Sequence, residues 1–118
     1  MPKVMIVDDD RTMTKLLETL LKLDGFEVVV VRQGGEVIAA ATASPPDVIL
    51  MDYHLADTNG ATVLRELRAH ETFAGLPVVI ASGMNNVEEE VMAAGANMFL
   101  TKPFDTDELP GLFNQLIG

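Results

Sequence analysis

The sequence predicts a doubly wound α/β domain, and three observations carry that prediction. Short apolar runs of strand length alternate with helical patterns five times over. The runs are apolar throughout rather than at every second residue, so both of their faces are covered. Four of the five end on a polar group. Covered strands separated by helices imply a parallel sheet with helices on both sides, joined by right-handed crossovers. At 118 residues the chain is long enough for one hydrophobic core, and residues 1–118 read as one domain.

The first run, Val4 to Val7, stops at Asp8-Asp9-Asp10. Met13, Leu16, Leu17, Leu20 and Leu21 then recur at i, i+3, i+4, i+7 and i+8, the stripe of an amphipathic helix, with Asp9 or Asp10 to cap it and Gly25 to end it. Val28 to Val31 is a β-branched strand broken by Arg32-Gln33-Gly34-Gly35, and Glu36 to Ala43 reads as a short helix ahead of Pro45-Pro46. Val48 to Met51 forms the third strand and ends in Asp52. Beyond Asn59-Gly60, the residues Val63, Leu64 and Leu67 mark a helix with Arg65, Glu66 and Arg68 turned outward. Val78 to Ala81 leads into Ser82-Gly83, Val87 to Ala94 is a helix closed by Gly95, and Asn97 to Thr101 precedes Lys102-Pro103. The last stripe is Leu109, Leu112, Phe113, Leu116 and Ile117. Pro110-Gly111 sits inside its first turn, and proline disfavours helix at Leu109, so a late start or a loose first turn is expected.

Composition excludes several classes. Hydrophobic residues make up 48% and charged residues 22%, a globular balance. No cysteine is present, which rules out disulfides and thiolate metal sites and suits a reducing, cytoplasmic setting. No apolar run approaches the length of a membrane span, and the first residues do not form a signal peptide. Eighteen acids against eight bases give a net charge of −10, which disfavours direct contact with nucleic acid.

In open α/β sheets functional groups gather at the carboxyl ends of the strands. Here those ends carry Asp8, Asp9 and Asp10, then Asp52, Ser82 and Lys102. In a sheet ordered 2-1-3-4-5 the first and third strands are neighbours, so Asp8, Asp9 and Asp52 converge. Like charges at that range need a proton or a cation between them. A hard divalent ion, Mg²⁺ or Mn²⁺, suits an all-oxygen donor set and characteristically shares it with a phosphoryl oxygen. Three carboxylates are balanced by one such ion and one lysine ammonium. A phosphoryl group on Asp52 would find cationic partners in the metal and Lys102 and a hydrogen-bond donor in Ser82.

The segments Ile6-Val7-Asp8-Asp9-Asp10, Leu50-Met51-Asp52-Tyr53-His54-Leu55, Ala81-Ser82-Gly83 and Phe99-Leu100-Thr101-Lys102-Pro103-Phe104 together resemble the bacterial response-regulator receiver family, across the whole chain. The resemblance implies a flavodoxin-like (βα)₅ fold with strand order 2-1-3-4-5. It implies that Asp8, Asp9, Asp52 and the His54 main-chain carbonyl hold the metal. Asp52 would accept phosphate, with Ser82 and Lys102 assisting. Ser82 and Phe99 would act as switch residues, Lys102-Pro103 would be a cis peptide, and Gly60 would be the turn glycine eight residues past the acceptor. Implied partners are a sensor histidine kinase or histidine phosphotransfer protein, a protein effector, and a phosphorylation-dependent homodimer that Pro110-Gly111 makes less secure. Such a domain is not an enzyme beyond its own phosphoryl transfer and dephosphorylation. The chain is compatible with a free-standing regulator or a part of something longer.

Neighbouring residues receive plainer readings. Asp10 is better suited to a helix cap than to a third ligand position, and Asp57 reads as a solvated loop acid. Tyr53 and His70 read as packing or surface residues, the methionines as core filler, and Glu88-Glu89-Glu90 as a solvated helix face with some weight on partner selection. Met84, two residues past Ser82, would flank the phosphoryl group together with His54. Being apolar, it cannot orient an attacking water, which predicts slow to moderate self-dephosphorylation. Rival readings are an aspartate-nucleophile phosphatase, a degenerate receiver that acts without phosphate, and a flavin carrier. The last is disfavoured because three aspartates stand where a phosphate loop would have to be.

Overall fold

Strands and helices alternate along the computed structural model, which describes all 118 residues. In order they are β1 (Lys3–Val7), α1 (Arg11–Leu23), β2 (Glu27–Val31), α2 (Val37–Ala43), β3 (Val48–Asp52), α3 (Gly60–Ala69), β4 (Val78–Ser82), α4 (Glu88–Ala93), β5 (Met98–Thr101) and α5 (Leu109–Ile117). The five strands form one parallel sheet, as the sequence predicts, in the order β2-β1-β3-β4-β5 that the resemblance implies. The order reverses between β1 and β3, and the crevice at such a reversal is where open α/β sheets hold their ligands.

Successive side chains along a strand point to opposite faces, so the sheet builds two cores. One face carries Met5, Val7, Ile49, Met51, Val78 and Ile80 against α2, α3 and α4, with Leu64 and Leu67 of α3 fully buried. The other carries Val4, Ile6, Val48, Leu50, Val79 and Ala81 against α1 and α5, where Leu17, Leu21 and Phe113 are buried. Phe26 and Phe113 meet edge to face at 5.9 Å beneath α1 and α5.

Local chemistry sets the ends of the helices. Asp10 caps α1 by accepting the Met13 N–H at 3.0 Å, and Asn59 caps α3 by accepting the Thr62 N–H at 2.9 Å. Gly25 and Gly95 follow α1 and α4 at φ +92 and +109, a left-handed conformation that favours glycine. Helices α2, α4 and α5 are each entered through a 3₁₀ turn, at Gly34–Glu36, Asn85–Val87 and Thr106–Glu108. The entry to α5 is thus a 3₁₀ turn, and the helix itself begins at Leu109.

Two local expectations need correction. Leu109 is helical (φ −59, ψ −47) despite the proline after it. Its side chain is buried against the α1/α5 core, and that burial outweighs the local steric preference, while Pro110 stands in the first turn, where no N–H is required. Arg68 does not point outward. Its guanidinium donates to the carbonyls of Phe73 (3.0 Å), Leu76 (2.7 Å) and Gly95 (2.9 Å) and to Asn97 Oδ1 (3.1 Å). It thus ties α3 to the segments before β4 and β5. Burial pulls its pKa below the ordinary value.

Candidate functional site

The carboxyl edge of the sheet gathers the predicted acids. Val7 pairs with Met51 in register, and the Asp8 N–H continues the ladder by donating to the Val31 carbonyl at 3.0 Å, which sets Asp8 beside Asp52. Asp8 shares strand parity with Ile6, and Asp52 with Leu50, so both carboxylates lean toward the α1/α5 side. One oxygen from each of Asp8, Asp9 and Asp52 lies within 4.8 Å of the others. Asp8 is buried, Asp52 is half-buried and Asp9 is exposed.

Lys102 closes the group. Its Nζ stands 3.1 Å from Asp52 Oδ1 and 3.8 Å from Asp8 Oδ2. Its N–H donates to the Ser82 carbonyl at 2.8 Å, and the Lys102-Pro103 peptide is cis, as the resemblance implies. Burial pushes the Asp8 carboxyl above its ordinary pKa, and the charges of Asp52 and Asp9 act the same way, while the Asp10 N–H and Lys102 oppose them. A cluster of hard oxygen donors, one of them a buried carboxyl, fits a divalent cation of the Mg²⁺ type.

Ser82 and Phe99 stand on the next two strands, β4 and β5. Asp52 pairs with Ala81 in register, which puts Ser82 one residue further along β4. Ser82 is fully buried, and its hydroxyl accepts the Met84 N–H at 3.0 Å. Phe99 pairs with Ile80 and packs half-buried on the α2–α4 core. Met84 is 40% exposed at the rim. Gly60 sits close against the backbone: a Cβ there would stand 3.1 Å from the Asp52 carbonyl and 3.2 Å from Tyr53 Cα, a tight fit.

A cleft of about 290 Å³ opens beside the acids. Ile6, Leu50 and Ala81 form its floor, Met13 and Leu17 of α1 one wall, and Pro103 and Phe104 the other, with Asp8, Asp52 and Lys102 at its edge. Nothing in the strand pattern announces it.

Several side chains are more engaged than sequence reasoning expects. Asp57 is exposed, yet its two carboxylate oxygens accept the Gly34 and Gly35 N–H groups at 2.9 Å each. Those amides, Gly35 foremost, hold its carboxyl below the usual pKa. Tyr53 donates its hydroxyl to Glu90 of α4, and that carboxylate holds the phenol above its ordinary pKa. Glu90 also lies 3.7 Å from Arg65, so at least one acid of the Glu88-Glu89-Glu90 run has structural partners. His54 is exposed, forms an isolated antiparallel bridge with Asn59, and meets the Tyr53 ring edge-on at 5.0 Å. His70 caps the 3₁₀ turn after α3 by accepting the Thr72 N–H.

An acid-lined crevice at the β1/β3 reversal, with a lysine just past β5 against two of the acids, marks a doubly wound domain with a cleft suited to a cation. Comparison with known proteins makes the assignment specific. Residues 4–114 match the response regulator receiver domain, and the chain belongs to that family. The transcriptional regulatory protein PrrA of Mycobacterium tuberculosis is 37% identical over 110 residues, covering 92% of this chain and 46% of PrrA. The DNA-binding dual master transcriptional regulator RpaA of Synechocystis is 32% identical over 111 residues, again 92% of this chain and 46% of that protein. The chain thus spans about half the length of the curated relatives it matches. A putative response regulator from Chloroflexus aurantiacus superposes with a TM-score of 0.91 at 31% identity, covering 99% of this chain and 98% of that one. The receiver domain of a sensor histidine kinase from Pseudomonas aeruginosa, solved with a magnesium ion coordinated in its active-site cleft, superposes with a TM-score of 0.90 at 28% identity, with the same coverage of both chains. No helix is long and apolar enough to cross a membrane.

Proposed function

We propose that residues 1–118 act as one phosphorylation switch whose acceptor is Asp52. The observation that carries this reading is the Lys102–Asp52 contact at 3.1 Å within a three-carboxylate cluster at the sheet reversal. Asp8, Asp9, Asp52 and the His54 main-chain carbonyl would hold Mg²⁺ or Mn²⁺. Bound there, the ion supplies positive charge to the phosphoryl oxygens. An Asp52 carboxylate oxygen attacks phosphorus, the bond to the donor's nitrogen breaks, and the electron pair leaves with the donor, forming an acyl phosphate. Lys102 holds the carboxylate in place and neutralises charge as it builds up. Ser82 supplies a hydroxyl from β4, and movement of Ser82 and Phe99 would report the modification to the α4–β5–α5 side. Phosphorylation shifts a conformational balance only by as much as it favours one state over the other.

The phosphoryl source is then a sensor histidine kinase or a histidine phosphotransfer protein, and the output is a protein partner. The likeness to PrrA and RpaA supports a role in transcriptional control. With a net charge of −10, these 118 residues would leave the DNA contact to another polypeptide segment. A domain of this kind catalyses only its own phosphorylation and dephosphorylation, and its chemistry fits the cytoplasm.

Incubation with Mg²⁺ and a small-molecule phosphodonor tests the proposal. Wild type gains the mass of one phosphoryl group, and Asp52→Asn or chelator-treated protein gains none. Labelling of Asp52→Asn to the wild-type level would overturn the assignment.

A further inference from the structure

The turn between β3 and α3 carries His54, and its two ends are well fastened. The Tyr53 N–H donates to the Ala81 carbonyl at 2.8 Å, the Gly60 N–H to the Tyr53 carbonyl at 2.7 Å, and His54 bridges Asn59. Toward the apex the second bond of that bridge, Leu55 N–H to the Thr58 carbonyl, is the longer one at 3.2 Å. What holds the apex lies in a different crossover. Asp57 Oδ1 accepts the Gly34 N–H and Oδ2 the Gly35 N–H, both at 2.9 Å, at the entrance to α2.

That entrance needs an outside partner. Neither Gln33 nor Glu36 provides a side-chain cap for the 3₁₀ turn or for α2, and the first N–H groups of a helix have no partner within it. Asp57 supplies the cap from a distance in sequence, with a negative charge placed where the helix dipole favours one. The two turns also touch. A Cβ on Gly34 would run into Thr58 and stand 2.8 Å from Val63 Cγ2 and 3.2 Å from Leu55 Cδ1. Carboxylate and glycine together lock the apex against the head of α2.

We propose that Asp57 is a positioning residue for the metal side of the site: by pinning the β3–α3 turn to the Gly34–Gly35 amides, it holds the His54 main-chain carbonyl where the cation needs it. This rests on the reading of Asp8, Asp9, Asp52 and the His54 carbonyl as the ligand set. A main-chain ligand cannot be re-aimed by a rotamer change, so its place depends on whatever fixes the backbone on either side. Tyr53, bonded to Ala81 and Gly60, fixes the side before His54, and the Leu55–Thr58 bond together with Asp57, three residues on, fixes the side after it. Groups that orient metal ligands change affinity by about tenfold or more when removed.

Calorimetric titration of Mg²⁺ into wild type, Asp57→Ala, Asp57→Asn and Asp52→Asn tests the proposal, together with amide hydrogen exchange on the metal-free proteins. Asp57→Ala should raise the Mg²⁺ Kd by about tenfold. Asp57→Asn keeps one acceptor oxygen and should fall between alanine and wild type. In the metal-free Asp57→Ala protein, the Gly34, Gly35 and Leu55 amides should exchange faster while β1 and β3 stay protected. Arg68→Ala is the control for stability alone: it loosens the opposite end of α3 and should leave the Mg²⁺ Kd at the wild-type value. An Asp57→Ala protein that binds Mg²⁺ as wild type does, with Asp52→Asn weakened, would overturn the positioning role and leave the site reading intact. Wild type that fails to bind Mg²⁺ would overturn both.

Discussion

The two faces of the sheet are built differently. On the α2–α4 face the core beneath α3 and α4 is closed, a shallow pocket opens only at the outer β2/α2 edge, and polar side chains lace its rim. Arg68 reaches carbonyls in two separate segments, and Glu90 joins Tyr53 after β3 and Arg65 of α3 to α4. On the α1/α5 face the same strands floor a cleft of about 290 Å³, and the carboxylates of Asp8 and Asp52 lean toward it. Strand parity thus divides labour along a single edge. Side chains of one parity build a tight core, while those of the other bring charge beside open space that an incoming phosphodonor can approach. In the proposed reading Ser82, which shares parity with Ile80, belongs to the closed face and Asp52 to the open one, so phosphorylation would bear on both.

Matched truncations test that contrast with the largest expected effects. Leu64→Ala, in the closed core, should cost about 4 kcal/mol in chemical denaturation, whereas Leu17→Ala, beside the cleft, should cost about 2 kcal/mol because its surroundings can collapse into existing space. Equal costs would mean that the cleft side is packed as firmly as the other. Arg68→Ala should follow at about 2 kcal/mol, since the Phe73, Leu76 and Gly95 carbonyls lose their charged donor.

On the open face, Asp8→Asn should stabilise the metal-free protein, with a definite pH dependence. Below the ordinary carboxyl value of 3.8 the side chain is protonated in both folded and unfolded chains, and aspartate and asparagine behave alike. Because burial raises the folded-state pKa, the unfolded chain ionises first as pH rises, and wild type loses stability through that window. The advantage of Asp8→Asn therefore appears above pH 3.8 and is complete once the folded carboxyl has ionised. Adding Mg²⁺ should stabilise wild type more than the variant and narrow the gap, which thermal melts with and without the ion will show. The smallest expected change is at the rim: Tyr53→Phe removes the exposed bond to Glu90 and should cost less than about 1 kcal/mol.

How much of this was legible in the sequence follows from what periodicity can encode. Uninterrupted apolar runs announce covered strands, and each polar residue that ends such a run lies by necessity on the sheet edge. Asp8, Asp52, Ser82 and Lys102 could therefore be placed from the sequence. The Asp57 clamp, the Arg68 staple and the Tyr53–Glu90 bond could not, because each joins one crossover to another and registers locally only as an exposed polar residue. Asp57 read as a solvated acid for that reason. Its partners are main-chain N–H groups, and those leave no mark on composition. The cleft escapes for a related reason, since it depends on how α1 and the Pro103–Phe104 segment stand apart. Leu109 shows the reverse failure, a local proline rule overridden by burial.

The central claim is that Asp52 takes the phosphoryl group while its neighbours Asp8 and Asp9 do not. After reaction with a phosphodonor and Mg²⁺, borohydride reduction converts a phosphorylated aspartate to homoserine, and peptide sequencing locates it. Homoserine at position 52 alone is the expected result. Homoserine at position 8 or 9, or none anywhere in protein that binds Mg²⁺, would contradict the account.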